Sequence, residues 1–250
     1  MEQIALISDI HGNMTALEAV LEDIHARGAR SIICLGDLVG KGPQPAEAVD
    51  RIRHVCEHVV KGNWDEGISK PQDKEAGIWT QERLSAEQLH YLSSLPFSID
   101  LWLSGRRVRL VHASAVSVYH RVLRKSPKAE KQRMFDNTAE TGGFLSTDLT
   151  PNVVAYGDIH VPYMRTLRTE REDGLMLLNI GSVGAPYDGL PHASYMLLQG
   201  VRDSEQPAPF GVQWVRVPYD VERAIAIAEA AGLPQLERYR KEQRSGREHS

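Results

Sequence analysis

"IALISDIHGN", residues 4–13, decides how the rest of the chain is read. Ile4 to Ile7 is a short apolar run suited to a strand buried on both faces, and the chain turns polar directly after it, at Asp9, His11 and Asn13. Past Asn13, the residues Leu17, Val20, Leu21 and Ile24 recur at helical spacing, and Gly28 closes that helix. The unit then repeats, with Ser31 to Leu35 as a buried strand, Ala46 to Val55 as a helix and His58 to Lys61 as a third short strand. A βαβαβ run over the first 63 residues implies a parallel sheet. From Ser98 the pattern changes to strands near 98–103, 107–112, 152–156, 164–169, 175–179, 195–199 and 212–217, mostly joined by turns or loops, which predicts an antiparallel or mixed second half. A late helix is expected over 221–231.

With 250 residues and 42% hydrophobic content, the chain can bury one sizeable core. That predicts a single domain over 1–240, with 115–150 as a candidate cap insert and 241–250 as a frayed polar tail. A net charge of −4 argues against nucleic acid as a partner, so an anionic substrate must be held by local charge. Cys34 and Cys56 lack CxxC spacing and read as buried thiols, which together with the lack of an export signal predicts a cytoplasmic protein. No apolar stretch approaches the roughly 20 residues that span a bilayer, so no membrane partner is expected.

The metal-capable side chains follow the strands. Asp9 and His11 come after the first, Asp37 after the second and Asn63 after the third; His112 ends "RVRLVH", and Asp158 and His160 follow "NVVAY". Loops at the C-terminal edge of parallel strands converge on a ligand-binding crevice, so these groups can meet. Oxygen and nitrogen donors without thiolates suit Mn or Fe first, with Zn, Mg, Co or Ni compatible. Two such ions can activate a water and neutralise phosphoryl oxygens, the chemistry of phosphate-ester hydrolysis. Each motif also has a bland reading: Asp9 or Asn13 suits a helix cap, Asn63 a left-handed turn, and Gly40 and Gly42 turn formation alone.

Taken in order, "DIHGN" (9–13), "GDLVGKGP" (36–43), "GNWD" (62–65), "VHAS" (111–114), "GDIH" (157–160) and "NIGSVGAPYDGLPHASY" (179–195) resemble the calcineurin-like metallophosphoesterase superfamily, in its small bacterial single-domain branch. The resemblance implies an α/β fold, a four-layer αββα sandwich in which two mixed β-sheets are flanked by helices. It also implies two divalent ions, the first held by Asp9, His11, Asp37 and His160 and the second by Asp37, Asn63, His112 and Asp158, with Asp37 as the bridge. Metal-bound hydroxide would then attack a small phosphorylated molecule: a nucleotide, a phosphodiester or a dinucleoside polyphosphate.

Three positions depart from the family pattern. Asp158 replaces the first His of "GHTH", which predicts a less positive cluster, harder ions and a higher pH optimum; hydrogen bonding to another ligand is its alternative role. Trp64 stands where many relatives carry a proton-donating His, and indole exchanges no proton near neutrality, though its face can stack a ring. Lys41 takes the place of a phosphate-clamping Arg and supplies one charge without the bidentate fork. In the basic stretch "HRVLRKSPKAEKQR", His120 is a candidate substitute acid. The competing reading is a weakened phosphoesterase fold retained as a protein-interaction module.

Overall fold

The computed structural model describes residues 1–168 and 174–249. Residue 169, expected to end a strand, and residue 250 of the expected tail lie outside the described residues. Along the chain run β1 (Glu2–Ile7), α1 (Met14–Ala26), β2 (Ser31–Cys34), α2 (Pro45–Val55), β3 (His58–Val59), α3 (Asn63–Ile68), α4 (Glu75–Gln81), α5 (Ala86–Ser94), β4 (Ser98–Leu103) and β5 (Arg106–Val111). They are followed by α6 (Lys128–Arg133), β6 (Val153–Tyr156), β7 (Tyr163–Leu167), β8 (Leu175–Asn179), β9 (Ala193–Gly200), β10 (Gly211–Val217), α7 (Val221–Ala230) and α8 (Leu236–Ser245).

Two five-stranded sheets form, in the orders β10-β9-β1-β2-β3 and β4-β5-β6-β8-β7. Both are mixed. β1, β2 and β3 are parallel, as are β5, β6 and β8, while β9, β10, β4 and β7 attach antiparallel. Strand periodicity explains the layers: in β1, Ala5 and Ile7 face one way, into a core shared with Leu17, Val20 and Ile24 of α1 and Val49 and Ile52 of α2. Ile4 and Leu6 face the other way, against Leu101, Leu110, Val153 and Leu178 of the second sheet. The outer face of that second sheet, through Val154, Tyr156 and Leu177, is covered by Val122, Met134 and Phe135 of the 115–150 insert. The layers are therefore helices, sheet, sheet, and an insert whose α helix is the single short turn pair of α6.

Two expectations need correction. β9 and β10, read from sequence as part of the second half, join the first sheet, where β9 pairs along β1 from Glu2↔Gly200 to Leu6↔Met196. The tail from 241 does not fray, because α8 runs to Ser245 and buries Tyr239, Glu242 and Gln243. Gln243 earns that burial by accepting from Asn13 Nδ2 (3.2 Å) and donating to the Gly184 carbonyl (3.0 Å).

Candidate metal centre

All the parallel strands present their C-terminal ends to one region, and the loops there are stitched to one another. Asp9 N–H donates to Gly36 O (2.9 Å), His11 N–H to Asp37 O (3.0 Å) and Gly184 N–H to Asp9 O (2.9 Å). Asp65 accepts from the backbone N–H groups of Asp37 (2.8 Å), Leu38 (2.9 Å) and Gly62 (2.9 Å), so one buried carboxylate holds the loop after β2 to the loop after β3. Burial raises its pKa and these three donors oppose the rise. Asn13 takes the bland role: its Oδ1 caps α1 by accepting from Ala16 N–H (3.1 Å).

The backbone in these loops is strained. Asp9 (φ 55°), His11 (49°), Asp37 (56°), Lys41 (59°), Asp158 (63°) and His160 (58°) all occupy the left-handed region. Non-glycine residues rarely sit there, and strain of this kind collects at functional sites. Gly62 serves close approach, because a Cβ on it would lie 2.2 Å from Asp37 Oδ1.

Three imidazoles converge with their tautomers set by the backbone. Nδ1 of His11 faces Val39 O (3.0 Å), Nδ1 of His112 faces Leu35 O (2.7 Å), and Nδ1 of His160 faces Ala185 O. Each therefore turns Nε2 inward. His11 Nε2 and His160 Nε2 are 3.3 Å apart, and Asp9 Oδ1 lies 3.2 Å from the latter and 4.0 Å from the former. Despite that proximity Asp9 Oδ1, fully buried, has no hydrogen-bond partner of acceptable direction among the described residues. Asp37 reaches both sides, with Oδ2 3.7 Å from His11 Nε2 and Oδ1 3.5 Å from His112 Nε2. Asn63 Oδ1 is 3.0 Å from His112 Nε2. Among the described residues, donor atoms within 4.8 Å of one another form two groups, Asp9, His11 and His160, and Asp9, Asp37 and His112. Both groups share Asp9, so Asp9 and Asp37 each stand between the two halves of the cluster. An orphaned carboxylate oxygen ringed by imidazole nitrogens fits divalent cations.

The electrostatics follow from burial. Burial pushes His112 down, but Asp37, Asp9 and Asp158 outweigh it and hold its pKa at about 9. His11 is driven well below its ordinary value by burial, then by Lys41 and His160. Burial carries Asp37 well above the usual carboxylate range, whereas for Asp9 the pull of His160 overcomes burial and lowers it.

The domain of the calcineurin-like phosphoesterase superfamily matches residues 3–203. This chain belongs to that superfamily. An uncharacterized protein of Methanocaldococcus jannaschii is 33% identical over 93% of this chain and 94% of its own length. Phosphodiesterase YfcE of Escherichia coli K12 is 26% identical over 79% of this chain and 88% of its own. The crystal structure of a metallophosphoesterase from Sphaerobacter thermophilus superposes with a TM-score of 0.76 at 28% identity, covering 98% of this chain and 99% of that one.

In this calcineurin-like phosphoesterase the departures from the family pattern take definite places. The Asp158 carboxylate turns to Arg121, whose Nε donates to its Oδ2 (3.2 Å) and whose Nη2 donates to its backbone carbonyl (2.9 Å), while Asp158 N–H donates to Asp9 Oδ2 (3.2 Å). His120 is engaged away from the cluster, by Glu130 at 3.1 Å and Ser114 Oγ at 3.3 Å. Lys41 Nζ donates to Tyr187 Oη (2.9 Å), and burial lowers its pKa. Tyr187 in turn donates to Glu242 Oε2 (2.9 Å) and stacks on His160, with centroids 4.6 Å apart and planes 14° from parallel. Trp64 donates its backbone N–H to Asp37 Oδ1 (2.8 Å), and its ring meets His11 edge-on at 6.1 Å. That ring lies where a Cβ on Gly40 (φ 81°) would stand, 2.2 Å from Trp64 Cε3, so Gly40 has a packing role besides its turn. The sequence offers Arg121 only as part of the basic stretch of a candidate cap that would grip phosphate, not as the partner of Asp158, and Tyr187 and Glu242 were missed as neighbours of the cluster. The "APYDG" stretch around Tyr187 carries part of the family resemblance, but nothing local marks its partners.

Proposed function

We infer that this protein hydrolyses small phosphorylated molecules, phosphodiesters or nucleotides among them, with two divalent ions held by Asp9, His11, Asp37, Asn63, His112 and His160. The observation that carries the reading is the inward set of three Nε2 atoms, each fixed by a carbonyl on Nδ1, around the unpartnered Asp9 Oδ1. The ions, when bound, supply positive charge for phosphoryl oxygens and acidify a water. The protein's own residues do the rest. Asp37 presents one oxygen to each half of the cluster, and Trp64 N–H and the Asp65-bound loops keep it there. Lys41, held on Tyr187, places a positive charge beside His11, where a substrate phosphate would gain from it. Indole at 64 leaves protonation of the leaving group to solvent, which favours substrates whose leaving group needs little help. Asp158, paired with Arg121, acts as a buried support whose backbone N–H orients Asp9, which leaves Asp9 and Asp37 as the carboxylates that would hold Mn or Fe.

The interaction-module reading is disfavoured by the same geometry, since strained turns and a buried carboxylate oxygen left without a partner are costly to keep without a ligand. The test is an aryl phosphodiester assay with Mn, Fe, Zn, Mg, Co or Ni added to stripped protein. Asp37→Asn should remove activity by more than the roughly 10–100-fold that follows loss of a supporting partner. Metal-stimulated turnover that survives this substitution would refute the assignment.

A further inference from the structure

A cavity of about 260 Å³ lies between α4 and the chain from Leu233 to Glu242, beyond the part of the sequence that the superfamily domain covers. Its walls include the rings of Trp64, Trp79 and Tyr239, and it reaches Lys41. We propose that this cavity is a leaving-group subsite, which takes the aromatic ring of a phosphoester while the phosphate rests at the Asp/His cluster. The proposal rests on the phosphoesterase reading for the position of the phosphate alone.

The cavity adjoins the cluster through two shared side chains. Trp64 both lines the cavity and meets His11 edge-on, and its own backbone N–H holds Asp37. Lys41 lines the cavity too, and its ammonium touches Tyr187, the ring stacked on His160. A molecule that passes these two side chains would have one end in the cavity and the other at the cluster.

The lining chemistry favours a ring over a second phosphate. Two of the three cations that line the cavity are engaged, since Arg238 Nε donates to Glu242 Oε1 (2.7 Å) and Lys41 to Tyr187 Oη, and the third, Lys74, is exposed. What remains for a ligand is the aromatic surface of Trp64 and Tyr239 and the part of Trp79 that the Arg83 guanidinium, 3.6 Å over its ring, does not cover. Indole faces stack planar rings. The volume also sets a limit. It falls just below the roughly 300–1,000 Å³ of sites for drug-sized molecules, so it admits one ring system and no polymer.

Calorimetric titration of the full chain with phenyl phosphate, adenosine monophosphate and glycerol 2-phosphate tests this. The two ring-bearing ligands should bind about tenfold tighter than glycerol 2-phosphate, a ratio set by stacking. Trp79→Ala should erase the difference and leave glycerol 2-phosphate unchanged. Because Trp79 also packs against Val221 and Leu236, Ala76→Leu, which fills the cavity from α4, is the second variant and decides if the first does not fold. A preference for the nucleotide over phenyl phosphate identifies a nucleobase pocket, and equal binding identifies a general aryl pocket; both support the proposal. Equal affinity for all three ligands, or variants that weaken all three alike, would overturn it. Hydrolysis measured in parallel separates the two readings: ring preference without turnover sinks the phosphoesterase assignment, and turnover without ring preference sinks the subsite.

Discussion

A histidine whose Nδ1 faces a fixed backbone carbonyl has little choice of tautomer, and His11, His112 and His160 are all held this way. At His112 the consequence can be measured. Without ions its pKa stands at about 9, so near neutrality a proton occupies the Nε2 that faces Asn63 and Asp37. Ion uptake must displace that proton; affinity should strengthen as pH rises from 6.5 towards 9, with proton release visible as buffer-dependent heat. In the ion-free protein the sign is opposite. A raised imidazole pKa contributes stability in full below 6.5 and loses it as pH passes about 9. Uptake heats that do not vary with buffer would contradict this account. The three histidines, Asp9 and Asp37 were legible in the sequence because each follows a strand within a short motif. Arg121 on Asp158 and Tyr187 on His160 were not, since those contacts join segments that local spacing does not relate.

At the scale of elements, α8 shows what periodicity cannot see. Its sequence, LERYRKEQRS, reads as a solvated end, yet Glu242 and Gln243 are buried because hydrogen bonds wait for them: Tyr187 and Arg238 at Glu242, Asn13, Gly184 and Tyr219 at Gln243. A buried amide with every atom satisfied carries no hydrophobic signature. Gln243→Ala leaves the Tyr219 hydroxyl and one Gly184 contact without their partner, and should lower unfolding free energy by about 2 kcal/mol. Urea denaturation measures it, and a change below ~0.5 kcal/mol would mean that water replaces the side chain without cost. The strands and the first two helices were readable because their apolar residues alternate or recur on one face; α3, α4 and α5 drew no prediction, being short and only partly buried.

For the whole molecule, Arg202 fastens the chain just past β9 to the loop before β3. Its Nη1 and Nη2 donate to the two oxygens of Glu57 at 2.8 and 2.6 Å, and Ser31 Oγ donates to the same carboxylate at 2.7 Å. Arg202, then Ser31, hold the Glu57 pKa down to about 2. A depressed carboxylate contributes stability above its unfolded value of 4.5 and loses it as pH falls towards 2. Since the Glu57 side chain is 39% exposed, solvent screening limits the term to about 1 kcal/mol. Glu57→Gln should narrow the stability gap between pH 7 and pH 3 by that amount; parallel acid loss in both proteins would show that the pair contributes nothing. The two-sheet sandwich followed from the opening βαβαβ and the family motifs. The assignment of β9 and β10 to the first sheet did not, because an apolar run reports that a strand is buried and not which neighbour it pairs with.

The place of β1 between β2 and β9 has a bearing on synthesis. Ile4 pairs with Leu198, which leaves the ribosome roughly 10–40 s after it at ~5–20 residues per second. Throughout that interval one flank of the central strand has no mate from its own chain, so nascent-chain binders that shield bare strand margins should engage this protein early and let go only once the ninth strand emerges.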